Sequence, residues 1–167
     1  MTENEVAKEV VDAAYHVHKR LGPGLLESVY EVVLAHELTK RGLGVVRQQP
    51  ISIKYESITF EEAFRADMIV EEKVILEIKS VETVSAVHKK QLLTYLRLAG
   101  KRLGLLINFG AELIKMDITR IVNGLPDEQW ILTPQRRFII LVLRSALFFF
   151  APLRLCERPS APPIDFV

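Results

Sequence analysis

The stretch from Phe64 to Val81, FRADMIVEEKVILEIKSV, constrains this chain more than any other. It reads as two short strands joined by a tight acidic turn at Glu71-Glu72-Lys73. The second, Val74 to Lys79, is rich in β-branched residues and short enough for a sheet strand rather than a helix. Side chains alternate along a strand, so Val74, Leu76 and Ile78 share one face and Ile75, Glu77 and Lys79 the other. A carboxylate and an ammonium thus sit side by side on an otherwise apolar strand. If the two strands pair as a hairpin, Asp67 reaches the same surface, and Asp, Glu and Lys converge in the pattern D-x(9)-E-x-K.

Such a set suits metal-assisted hydrolysis of a phosphodiester. Mg²⁺ is a hard, octahedral cation that keeps several waters and takes one or two protein carboxylates. Asp67 and Glu77 supply two, and the main-chain carbonyl of Ile78 is a third candidate oxygen. A bound cation of this kind acidifies water and neutralises phosphate charge. Lys79 would then orient the water or stabilise developing charge, an effect of roughly 3–4 kcal/mol for one preorganised donor. The same Glu-x-Lys spacing also suits a solvated strand face carrying an ion pair of roughly 0–1 kcal/mol, so the motif needs support from elsewhere in the chain.

At 167 residues the chain is one domain with room for an appendage, and 49% hydrophobic with 26% charged residues is a globular composition. A net charge of +1 offers no global electrostatic attraction to nucleic acid. The lone Cys156 excludes a disulfide framework, a four-cysteine zinc site or a cysteine-ligated iron–sulfur cluster within this chain. The acidic start, MTENEVAKEVV, lacks a signal-peptide pattern, and the expectation is a cytoplasmic protein.

Thr2 or Asn4 can cap a first helix to about Leu21, with Val6, Val10, Ala13, Ala14 and Val17 on its apolar face. His16 and His18 are two apart and diverge on a helix, as surface or packing residues. Gly22-Pro23-Gly24 breaks the helix, and a second is expected from about Leu25 to Arg41, burying Leu26, Val29, Val33, Leu34 and Leu38. Glu27 falls in its first turn, where the helix dipole favours a carboxylate. Val45 to Tyr55 reads as a strand in which Pro50 marks a bulge or an edge. Ser57 opens a turn into Ile58 to Val70, completing three antiparallel strands with Val74 to Lys79. A helix from about Ala86 to Gly100 follows, then a strand covered on both faces from Leu103 to Phe109, and a last strand or strand-plus-turn between Glu112 and Val122. The order predicts an α/β architecture with a mixed sheet flanked by helices.

From Thr83 to Ala111 there is no Asp or Glu, yet there are six basic side chains from His88 to Arg102. Helical spacing places Leu92, Leu96, Ala99 and Leu103 on a buried face and Lys90, Arg97 and Lys101 opposite, with Lys89 beside Lys90. Gln91 and Tyr95 stack at the boundary. Either this is a solvated basic face or it meets a phosphate backbone.

Together these residues resemble the PD-(D/E)xK nuclease superfamily, whose core is helix, three-stranded meander, helix and strand, the restriction-endonuclease-like fold. Asp67, Glu77 and Lys79 match its catalytic set, with Ala66 where the name-giving Pro would stand. Gln91 to Tyr95 matches the Q-x-x-x-Y of the RecB-like and lambda-exonuclease-like branch, and Gly24 to Tyr30 matches G-x-x-E-x-x-Y, which names the GxxExxY family. The resemblance covers residues 3 to about 125. It implies a Mg²⁺-dependent nuclease, Mn²⁺ as an alternative ion, acting on DNA by preference. It also implies Glu27 as a carboxylate in or just outside the metal site, and Gln91 and Tyr95 approaching either the substrate or the metal-bound carboxylates. A second reading is a catalytically silent module that binds nucleic acid or protein on the same fold; a partner subunit or homo-oligomer could add binding surface.

Residues 126–167 fall outside that core and are expected to form a poorly ordered appendage or an oligomer contact. Phe138 to Leu153 (FIILVLRSALFFFAPL) is intensely apolar, but shorter than the roughly 20 residues of a membrane helix and interrupted by Arg144. A membrane anchor is therefore disfavoured.

Overall fold

The structure is a computed structural model that describes residues 1–125 of the chain. The sequence expectations for Pro126 to Val167, the apolar Phe138 to Leu153 stretch included, lie outside the described residues.

Helix α1 (Glu3–Leu21) begins with a reciprocal cap, in which Thr2 accepts from the Glu5 amide and Glu5 accepts from the Thr2 amide. It ends at Gly22, whose φ of +69° suits glycine. Helix α2 (Glu27–Lys40) starts two residues later than expected and has no side-chain cap. The Tyr30 hydroxyl explains the delay: it donates to the Gly22 carbonyl at 2.6 Å and accepts from the Leu25 amide at 3.2 Å, tying down the backbone of the connecting loop.

The buried face of α2 also differs from expectation. Tyr30, Glu31, Leu34, Ala35 and Leu38 are buried, whereas Leu26 is 74% and Val29 38% exposed. Valine and leucine occur all round this helix, so periodicity cannot select a face. The stacking of Tyr30 on Phe109, at 4.4 Å between centroids, sets its rotation instead.

The sheet has the order β1-β2-β3-β4-β5, with β1 (Val45–Tyr55), β2 (Ile58–Val70), β3 (Val74–Lys79), β4 (Leu103–Asn108) and β5 (Ile118–Val122). Only β3 and β4 are parallel. Their connection carries α3 (Ala86–Leu98), a crossover that a parallel pair requires. A short 3₁₀ turn, Ile114–Met116, precedes β5. Pro50 lies in an edge strand, and the β1–β2 register shifts between Ile51 and Ile53.

Helices α1 and α2 cover one face of the sheet and α3 the other. On the α3 face, Leu92 and Leu96 pack with Ala66, Ile69, Ile75 and Leu106, each such buried leucine contributing about 1.5–3 kcal/mol. Leu103, which helical spacing also aligned with the buried face of α3, is the first residue of β4, where the sequence expects the strand to begin. Gly104 lets α3 approach closely, since a Cβ there would stand 3.0 Å from Leu92.

Candidate active site

Strand β2 pairs with β3 through only three residue pairs, Met68↔Leu76, Ile69↔Ile75 and Val70↔Val74. Beyond Met68 the backbones part, and a side chain completes the bonding: Asp67 Oδ2 accepts the Ile78 amide at 2.8 Å. Asp67 therefore stands at the end of β3 beside Glu77 and Lys79. The β1–β2 ribbon runs on past this point, about 20 Å beyond β3 at roughly 3.3 Å per residue.

Glu77 is only 5% exposed. Its Oε1 accepts from Lys79 Nζ at 2.8 Å, while Oε2 is buried with no hydrogen-bond partner among the described residues. An unpartnered buried carboxylate oxygen is costly, and here it lies next to a second carboxylate. Burial, then the Glu77 charge, raise the Asp67 carboxyl from 3.8 to about 6, against the hydrogen bond from Ile78 and the Lys79 charge. Burial works to lower the Lys79 ammonium, but the hydrogen bond to Glu77 and the charges of Glu77, Asp67 and Glu27 outweigh it. Lys79 is accordingly held protonated, as a donor rather than a base.

Two hard carboxylates with an orphaned buried oxygen fit a divalent cation of the Mg²⁺ type. They do so as a pair: among the described residues no three His, Cys, Asp or Glu side chains gather into a metal cluster. Glu27 does not complete a triad. It projects from the α2 layer to the end of β3, where Oε1 accepts the Ser80 amide at 3.1 Å, while Ser80 Oγ donates to the Leu25 carbonyl at 2.7 Å. The next residue is pinned from the other side, where Asn108 exchanges hydrogen bonds with the Val81 amide and carbonyl.

Gln91 Nε2 donates to the Tyr95 hydroxyl at 2.5 Å, and the Tyr95 ring stacks on Phe64 at 3.9 Å. Burial raises the Tyr95 phenol, with Glu77 and Asp67 adding to the shift, so the pair lies within electrostatic reach of both carboxylates. Lys89, Lys90 and Arg97 are exposed on α3. Lys101 is placed apart from them. It follows the helix and donates to the Glu72 carbonyl, at the turn that begins β3, whereas Glu77 and Lys79 stand at its end.

Glu31 and its partners were not singled out from sequence. Glu31 is 6% exposed and accepts from Arg47 Nε at 2.8 Å and Gln48 Nε2 at 2.7 Å. Its charge also acts on Asp67. The available signal was its position one helical turn after Glu27, on a helix whose buried face periodicity could not identify.

Against known proteins, residues 4–121 match the family model of the PD-(D/E)XK nuclease superfamily. Among solved structures, the chain is similar to SSO0001 at 18% identity and a TM-score of 0.46, covering 77% of this chain. It spans 61% of the length of SSO0001. It is also similar to an alkaline exonuclease (LHK-Exo) from Laribacter hongkongensis at 15% identity and a TM-score of 0.40, covering 89% of this chain and 94% of that one. No curated protein matches the sequence.

Proposed function

Because the chain belongs to the PD-(D/E)XK nuclease superfamily, we propose that it is a Mg²⁺-dependent nuclease that hydrolyses phosphodiester bonds, DNA by preference, with Mn²⁺ able to replace Mg²⁺. The observation that carries this is the buried, unpartnered Oε2 of Glu77 beside Asp67, with Lys79 occupying the other oxygen. Asp67, Glu77 and the Ile78 carbonyl would hold the cation. When bound, it supplies an acidified water and neutralises charge on the phosphate.

The chain's own residues do the rest. Lys79, fixed by Glu77, aims a protonated donor at charge developing on the phosphate or orients the attacking water. Glu27 lies just outside the cation site, holding the Ser80 amide and adding negative potential beside Lys79. Gln91 and Tyr95 form a prebuilt pair at the substrate side, kept in place by the Phe64 stack. Lys89, Lys90 and Arg97 meet the phosphate backbone without reading sequence. Within the superfamily we assign the chain to the GxxExxY family, since each residue of that signature has a task here. Gly24 takes φ +101° in the loop, Glu27 reaches Ser80, and Tyr30 ties the loop to the core.

The test sets wild type beside Lys79→Ala on single- and double-stranded DNA and RNA, with Mg²⁺, Mn²⁺ or EDTA. Cleavage should need the divalent ion and fall roughly 10²-fold in the variant, with binding nearly unchanged. Equal cleavage by both proteins would assign the activity elsewhere. Binding without cleavage by either would favour the silent binding module.

A further inference from the structure

Arg47 and Gln48 are consecutive in β1, yet both side chains bond the same carboxylate, Glu31 on α2. A regular strand sends successive side chains to opposite faces and forbids this. The exception is made at Gln48, which has φ +51°, in the region L side chains rarely adopt. Directly opposite stands Asp67. The β1–β2 register runs Arg47↔Met68 and then Gln49↔Ala66, leaving the Gln48 and Asp67 level without a pair.

The alternation of β2 slips at the same level. Met68 pairs with Leu76, on the face opposite Ile75. Two residues earlier Ala66 should share that face, but it packs with Ile69 and Ile75 under α3. Asp67 sits at the slip, and its carboxylate turns along the sheet to the Ile78 amide instead of standing on either face.

We propose that Glu31 and Gln48 form a positioning device for the site. By gathering Arg47 and Gln48 onto one face, Glu31 holds the left-handed backbone at Gln48, and that kink turns Asp67 toward Ile78 and Glu77. The effect on cation binding rests on the nuclease reading above; the effect on Asp67 orientation does not. Glu31 and Gln48 touch neither cation nor substrate, and act through Asp67.

The experiment uses the full chain, with Mn²⁺ alone titrated by calorimetry and the Ile78 amide followed by NMR hydrogen exchange. Gln48→Gly, which adopts φ +51° without strain, should retain slow exchange at Ile78. Gln48→Val, for which that φ is forbidden, should lose protection at Ile78 while the amides of Val74 to Leu76 keep theirs. Mn²⁺ affinity should stay within about threefold of wild type in the glycine variant and fall by about tenfold or more in the valine variant, the scale on which outer-shell partners act. Glu31→Gln should show a smaller selective loss at Ile78, and it decides the matter if the valine variant does not fold. Unchanged Ile78 protection in Gln48→Val and Glu31→Gln, or equal loss in the glycine and valine variants, would overturn the proposal. A wild type that binds no Mn²⁺ would instead count against the nuclease reading, leaving Ile78 exchange to judge the device.

Discussion

At Asp67 the carboxyl titrates near 6 because burial and the neighbouring Glu77 disfavour its charge. A carboxyl raised in the folded state contributes stability that is fully present below the unfolded value of 3.8 and is lost as pH rises through about 6. Asp67→Asn should therefore stabilise the metal-free protein at pH 7–8, by about 1–2 kcal/mol once solvent screening at this half-buried position is allowed for. The Asn oxygen can still accept the Ile78 amide. Thermal melts of both proteins between pH 3.5 and 8 check this: the gain should shrink on acidification and vanish below about pH 4. A variant less stable than wild type at pH 8 would show that Asp67 is satisfied as an anion. By the same sign, cation binding should weaken below about pH 6, where Asp67 takes up a proton.

At the scale of elements, α3 and its neighbours divide the basic residues into two groups. Lys89, Lys90 and Arg97 are exposed on the helix, whereas Lys101 is tied to Glu72 at the start of β3. Replacing Lys90 and Arg97 together by Ala should weaken DNA binding and reduce the slope of log affinity against log salt by about 1.5–2, as expected for two phosphate contacts. Lys101→Ala should leave that slope unchanged. Fluorescence anisotropy across a salt series separates the two, and a slope that responds only to Lys101 would move the nucleic-acid path to the other end of the sheet. Element boundaries were largely legible in the sequence, because glycine breaks, β-branched runs and the Thr2 cap are local signals. The rotation of α2 was not. Its apolar residues lie all round, and the Tyr30–Phe109 stack selects the buried face across seventy-nine residues of chain.

For the molecule as a whole, residue contacts divide the chain into Met1–Asp127 and Glu128–Val167. The first unit contains the whole five-stranded sheet and the three described helices. A fragment ending at Asp127 is expected to fold alone with one cooperative thermal transition, read by circular dichroism; a broad, non-cooperative melt would show that the core needs the remaining residues. Among the described residues no helix is long and apolar enough to cross a membrane. The α/β class, the strand order of the meander and the placing of Glu77 and Lys79 on one side of β3 were legible in the sequence alone, since each depends on local alternation and spacing that a strand imposes directly. Tertiary structure decided how those side chains are aimed. The kink at Gln48, the slip at Asp67, the separation of Lys101 and the position of Glu27 at Ser80 come from contacts between residues distant in the chain. No periodicity encodes them, because each is settled by which partner a buried polar group finds once the layers have packed.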